Sequence, residues 1–100
     1  MILTPKVQEK LFELSRKRYP DWSTRQISGY VHGIVDGLTR KQPRRVYERD
    51  IDKPDRYACG YMYGFYDANG ATGCVEIWGQ KSRMIEHRWW DKCLNETDNG

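Results

Sequence analysis

Five side chains carry the softer chemistry of this sequence: the thiols of Cys59, Cys74 and Cys93 and the imidazoles of His32 and His87. They are the right types to ligate zinc. However, no Cys-x-x-Cys or His-x-x-x-His pair occurs, and closely spaced ligand pairs are what make a zinc motif specific. The expectation is no metal and no cofactor. Nucleophilic catalysis needs a thiol beside a base and a third group to orient the base. Cys93 or Cys74 with His87 supplies two of the three types, and nothing along the chain brings them together. His32 and Asp36 stand four residues apart and can share a hydrogen bond on one helix face. Carboxylates pair only in polar stretches, Asp50 with Asp52 and Glu96 with Asp98. The glycines recur at helical spacing and lack the lysine context of a phosphate-binding loop. A non-enzymatic protein is the expectation.

Charge and aromatic side chains offer more. Arg40, Lys41, Arg44, Arg45 and Arg49 crowd one stretch with Glu48 as its only acid. Such a cluster suits an acidic protein surface, where charge complementarity speeds and orients association, or nucleic-acid phosphates, with salt-sensitive affinity. Tyr47 stands among these residues and can stack on a base. Against nucleic acid, the net charge is only +3, and the polar face of the glycine-rich helix that precedes the cluster offers His32, Asp36 and glycines, not base-reading Arg, Asn or Gln. Trp89 and Trp90 are adjacent, so on a helix they point about 100° apart and do not both enter one small core easily. One of them, flanked by Arg88 and Lys92, has the make-up of a protein-binding hot spot. The expected partner-binding residues are therefore Arg40, Lys41, Arg44, Arg45, Arg49, Trp89 and Trp90.

The elements that must position these residues are mostly helical. One hundred residues, 38% hydrophobic and 31% charged, make one small domain and leave no room for a second. Thr4 caps a first helix with Pro5 in its first turn, and Tyr19-Pro20 ends it. Val7, Leu11 and Leu14 form its apolar stripe, and Arg16, Lys17 and Arg18 suit its C-terminal end. Ser23 and Gln26 fit a capping box for a second helix. Its face is Ile27, Tyr30, Val31, Ile34, Val35 and Leu38, with Gly29, Gly33 and Gly37 along one edge. After a loop over residues 40–53, a third helix starts near Pro54 and stops at Asn69-Gly70.

The second and third helices echo each other. Gly29-Tyr30-Val31-His32-Gly33-Ile34-Val35-Asp36-Gly37 aligns without gaps on Gly60-Tyr61-Met62-Tyr63-Gly64-Phe65-Tyr66-Asp67-Ala68. Each segment has a small-residue edge, an aromatic and aliphatic face, and an Asp on the far side. The pattern predicts an antiparallel hairpin packed small edge to small edge, a soluble relative of small-xxx-small packing in membranes. Each glycine costs about 1 kcal/mol of helix propensity relative to alanine, and close backbone approach would offset that. Residues 74–94 read as helix, with Ile77, Trp78, Met84, Ile85, Trp89 and Cys93 near one stripe. A short C-terminal β-hairpin, Cys74–Trp78 turning at Gly79-Gln80 onto Arg83–His87, is the alternative. Residues 95–100 are expected to be a frayed tail. The fold class is thus mainly α: a domain of three to four helices with a Gly-spaced helix pair.

No signal-peptide pattern opens the chain and no stretch is apolar enough to span a bilayer, so a cytoplasmic protein with reduced thiols is expected. The short, aromatic-rich, mildly basic profile, with its paired Gly-Tyr-x-x-Gly-x-x-Asp segments and Arg/Trp-rich remainder, resembles the anti-RecBCD accessory proteins of lambdoid bacteriophages. The resemblance implies a phage protein that binds the host DNA-end resection complex, chiefly its RecC subunit, and redirects it toward phage recombination in the host cytoplasm. A small nucleic-acid-binding protein using Arg40–Arg49 is the competing expectation. Oligomeric state is open.

Overall fold

The structure, a computed structural model, describes residues 4–44, 56–70, 73–75 and 83–98. Helix α1 spans Pro5–Arg18, α2 Thr24–Thr39, α3 Arg56–Asn69 and α4 Asp91–Asp98; strands β1 (Cys74–Val75) and β2 (Arg83–Met84) lie between the last two helices. The fold is mainly α, with four helices among the described residues. The sequence signals for α1 and α2 act as expected. The Thr4 hydroxyl accepts from the Val7 amide, the Ser23 hydroxyl accepts from the Gln26 amide, and Tyr19 ends α1.

The centre of the fold is the packing of α2 against α3. A Cβ on Gly29 would overlap the Tyr57 carbonyl, and one on Gly33 would overlap Tyr61. Gly60 faces the Gln26 carbonyl and Gly64 that of Tyr30 in the same way. Backbone therefore lies against backbone, which recovers packing for the propensity the glycines lose. The direction differs from the antiparallel hairpin that the repeat suggested. Gly29, Gly33 and Gly37 meet Tyr57, Tyr61 and Phe65 in that order, so α2 and α3 run parallel. Residues 40–55 separate them, a length that lets the chain return to its starting end. A short turn would have forced the antiparallel arrangement.

The pair buries Ile27, Tyr30, Ile34, Tyr61 and Phe65 almost completely. Leu11 of α1 and Leu94 of α4 close the same core. Trp90 joins them at 0% exposure.

Residues 74–94 are not the single helix that periodicity favoured. β1 and β2 pair antiparallel, Cys74 opposite Met84 and Val75 opposite Arg83, as in the hairpin alternative. Met84, placed on the helical stripe by its spacing, is 63% exposed. The reason lies at the end of α3. Gly70 has φ +84 and turns the chain out of the helix. The returning segment then satisfies the helix-end carbonyls that would otherwise lack partners: the Arg88 amide donates to the Asp67 carbonyl and its Nε to the Ala68 carbonyl. Arg88 adopts φ +49 to do so. Residues 95–98, expected in a frayed tail, instead continue α4 through Asp98 from buried Leu94, and Asn99 and Gly100 lie outside the described residues.

Candidate functional site: two tyrosine–aspartate–arginine clusters

The repeat builds the same cluster twice. The Tyr30 hydroxyl on α2 donates to Asp67 Oδ2 on α3 at 2.5 Å. The Tyr61 hydroxyl on α3 donates to Asp36 Oδ2 on α2, also at 2.5 Å. The two aspartates are therefore not solvated groups on the far side of each helix. They are buried, each satisfied by the tyrosine of the opposite helix, as a buried carboxylate requires. Each tyrosine oxygen also accepts one N–H: Trp89 Nε1 at 2.7 Å for Tyr30, and the Arg44 amide at 2.8 Å for Tyr61. An arginine completes each cluster, with Arg83 Nη2 2.7 Å from Asp67 and Arg44 Nε 2.8 Å from Asp36.

The first cluster is closed. Arg83 projects from β2 into a cage of Tyr63, Tyr19, Trp22 and Tyr30, its guanidinium carbon 4.5 Å from the Tyr63 ring centre and 5.5–5.9 Å from the others. Its side chain is 20% exposed and that of Asp67 only 1%. Burial opposes the charge on Arg83, but the hydrogen bond and charge of Asp67 outweigh it and raise its pKa. Burial, then Asp67, pushes the Tyr30 phenol far above its ordinary range. The Glu86 amide fills the other Asp67 oxygen at 2.9 Å. Glu86 itself accepts from Arg18 Nε at 3.0 Å and from the Tyr19 hydroxyl. Burial pushes the Glu86 carboxyl up, but those two hydrogen bonds prevail and hold it below its usual value.

The second cluster is open. The Arg44 side chain is 60% exposed, although Asp36 beneath it is 11% exposed. Burial, reinforced by the bond to Asp36, pushes the Tyr61 phenol up to about 12. A pocket of about 310 Å³ opens here, lined by Asp36, Tyr61, Arg44, His32, Tyr57 and Gln8 with Val35. His32 Nδ1 lies 2.7 Å from the Tyr57 hydroxyl, so His32 does not bond Asp36 as their spacing suggested. Asp36 is turned toward α3 instead. A second hollow of about 300 Å³ between α1 and α2 shares Gln8 and His32 with the first.

Arg40, Lys41 and Arg44 are exposed as expected, and Arg44 alone of the three reaches a cluster. Arg45 and Arg49 lie outside the described residues. Trp89 and Trp90 divide. Trp89 is partly buried over Tyr30, with the Arg18 guanidinium 4.7 Å from its ring centre. Trp90 is wholly buried and is a core residue, not a partner anchor. The expected binding residues thus do not form one patch: Trp89 belongs to the closed cluster and Arg44 to the open one. His87 lies against Gly70, its Nδ1 3.2 Å from the Asp67 carbonyl. Cys59 is buried and Cys93 partly buried. Among the described residues no three His, Cys, Asp or Glu side chains are grouped to hold a metal ion, and no helix is long and apolar enough to cross a membrane. Sequence reasoning missed Asp36, Asp67 and Arg83. The repeat marked the two aspartates through their shared position, but nothing in the sequence marked Arg83.

The chain matches no protein-family model, no curated protein and no solved structure.

Proposed function

We propose that this is a non-enzymatic binding protein that acts by occupying a surface of a protein partner, and that its contact face is the open cluster with Arg40 and Lys41 beside it. One observation carries the reading. Two clusters of the same construction exist, and the one that the described residues leave unfilled opens as a pocket at exposed Arg44, which exposed Arg40 and Lys41 precede in the chain. Concave sites with a few convergent polar groups on a rigid scaffold are the usual form of a binding site. Trp90 has no part in the face, and Trp89 serves the fold.

The resemblance to the phage anti-RecBCD proteins supports a host DNA-end resection complex, through its RecC subunit, as the partner, and the host cytoplasm as the place of action. The test is a titration of the protein against the purified resection complex and, separately, against duplex DNA at several salt concentrations. Binding of the complex that drops roughly tenfold or more in the Arg40→Glu, Lys41→Glu double variant supports the reading, since rim charges act on association. Submicromolar binding of DNA with a steep salt slope would replace it with the nucleic-acid reading. Binding of neither removes this partner.

A further inference from the structure

The closed cluster shows what ligand this construction holds. Arg83 is bound by Asp67, by Tyr30 and, most closely among its rings, by Tyr63. The repeat carries those three residues onto Asp36, Tyr61 and His32. All three line the open pocket, with Tyr57 supplying a further ring beside His32, the ring centres 5.6 Å apart. A carboxylate with flanking aromatic faces is the chemistry that recognises a guanidinium, through forked hydrogen bonds and ring stacking. In the closed copy the guanidinium sits deep within the cage. In the open copy Arg44 touches Asp36 through Nε while most of its side chain remains in solvent, so it neutralises the carboxylate without filling the pocket.

We infer that the open pocket takes an arginine side chain of the protein partner, which displaces Arg44 from Asp36 and seats against Tyr61, Tyr57 and His32 as Arg83 seats in its own cage. The inference deepens the protein-binding reading and rests on it. Displacement frees Arg44 beside exposed Arg40 and Lys41, so the partner segment that fits is an arginine flanked by acidic residues. The guanidinium enters the pocket, and its carboxylate neighbours meet the three released or exposed cations. A lysine satisfies the charge but lacks the planar fork.

The probe is the acetylated, amidated pentapeptide Glu-Asp-Arg-Asp-Glu, with the arginine replaced by lysine or by uncharged citrulline as controls. Its binding to the intact protein is followed through the ring resonances of His32, Tyr57 and Tyr61. The arginine peptide should shift these resonances and bind at least about tenfold more tightly than either control, the size of one good hydrogen bond between charged groups. For the same arginine flanked by glycines in place of the acidic residues, Arg44→Ala should tighten binding several-fold, because a competitor for Asp36 is gone and no flanking carboxylate loses a cation. Asp36→Asn should abolish it, and His32→Ala, which leaves the buried pair intact, should weaken it. Equal binding of the three peptides, shifts confined to the Trp89 side, or weaker binding of the glycine-flanked arginine by Arg44→Ala would overturn the inference, as would no binding of the acidic peptide. The resection complex separates the two readings. If it binds wild type and Asp36→Asn alike, the protein-binding reading stands and the arginine pocket falls. If the peptide binds as described and the complex does not, the pocket stands and that partner falls.

Discussion

Tyr30 and Tyr61 hold equivalent places in α2 and α3, and each hydroxyl donates at 2.5 Å to the aspartate of the other's helix, Asp67 and Asp36 respectively. Their surroundings differ in one respect: the Tyr30 bond lies beneath Trp89 and the Arg83 cage, and the Tyr61 bond borders a pocket. The same substitution at the two sites should therefore have unequal effects. Tyr30→Phe leaves the Trp89 N–H and one contact of buried Asp67 unmade, which costs about 1–3 kcal/mol; Tyr61→Phe exposes its partners to water and costs nearer 1 kcal/mol. Urea unfolding of the two variants measures the difference. Equal losses would show that the pocket does not admit water to the Tyr61 bond.

The two arginines make a second contrast. Removing Arg83 strands the nearly inaccessible Asp67 carboxylate, and breaking a buried pair costs about 3–5 kcal/mol. Removing Arg44, whose side chain is mostly in solvent, should cost less than about 1 kcal/mol. Arg83→Lys should recover only part of the loss, because one ammonium cannot reproduce a planar guanidinium packed among four rings. Denaturant midpoints of Arg83→Ala, Arg83→Lys and Arg44→Ala check the order.

Gly33 and Gly64 tolerate no side chain. A methyl on either would overlap a carbonyl oxygen of the facing helix, and backbone moves less readily than a side chain. Gly33→Ala and Gly64→Ala should each destabilise by about 1–3 kcal/mol or more despite their higher helix propensity, and so lower Tm by roughly 4–8 °C per kcal/mol in a domain this small. A gain in Tm from either would contradict the close approach of α2 and α3.

Stability should fall at both ends of the pH range. Tyr19 and Tyr61 are raised from 10.0 to about 12 in the folded protein, each chiefly by burial. The unfolded chain therefore ionises first, and their stabilisation, complete below 10.0, is lost as pH climbs toward about 12. Glu86 behaves oppositely. Its folded carboxyl is held below 4.5, so its contribution is present above that value and drains away as pH drops through the folded pKa. Thermal melts across pH, with tyrosinate absorbance on the alkaline side, check both limbs. Tyr61→Phe should flatten the alkaline limb.

Much of the framework could be read from residue order. Thr4, Ser23 and Gly70 act locally as caps and stops, and local rules find local features. The glycine edges of α2 and α3 were legible because helical spacing puts them on one face. Their relative direction was not, because it depends on where the chain travels between Thr39 and Arg56. That error hid the sites as well. Tyr30 and Asp36 lie on different faces of one helix and look unrelated until a parallel neighbour brings Asp67 to the first and Tyr61 to the second. Arg83 gave no signal because its role comes from rings on three separate stretches: Tyr19 and Trp22, Tyr30, and Tyr63. Trp89 and Trp90 could be told apart in principle but not assigned, since the turn ahead of α4 decides which one faces inward.

Two parallel helices that exchange equivalent contacts have the geometry of a two-fold homodimer, here written into one chain by the offset that carries Gly29 onto Gly60. In a true homodimer one substitution alters both halves of the interface together. Within one chain each socket is encoded separately, so one can be committed to holding the molecule together while its twin is left to meet something else.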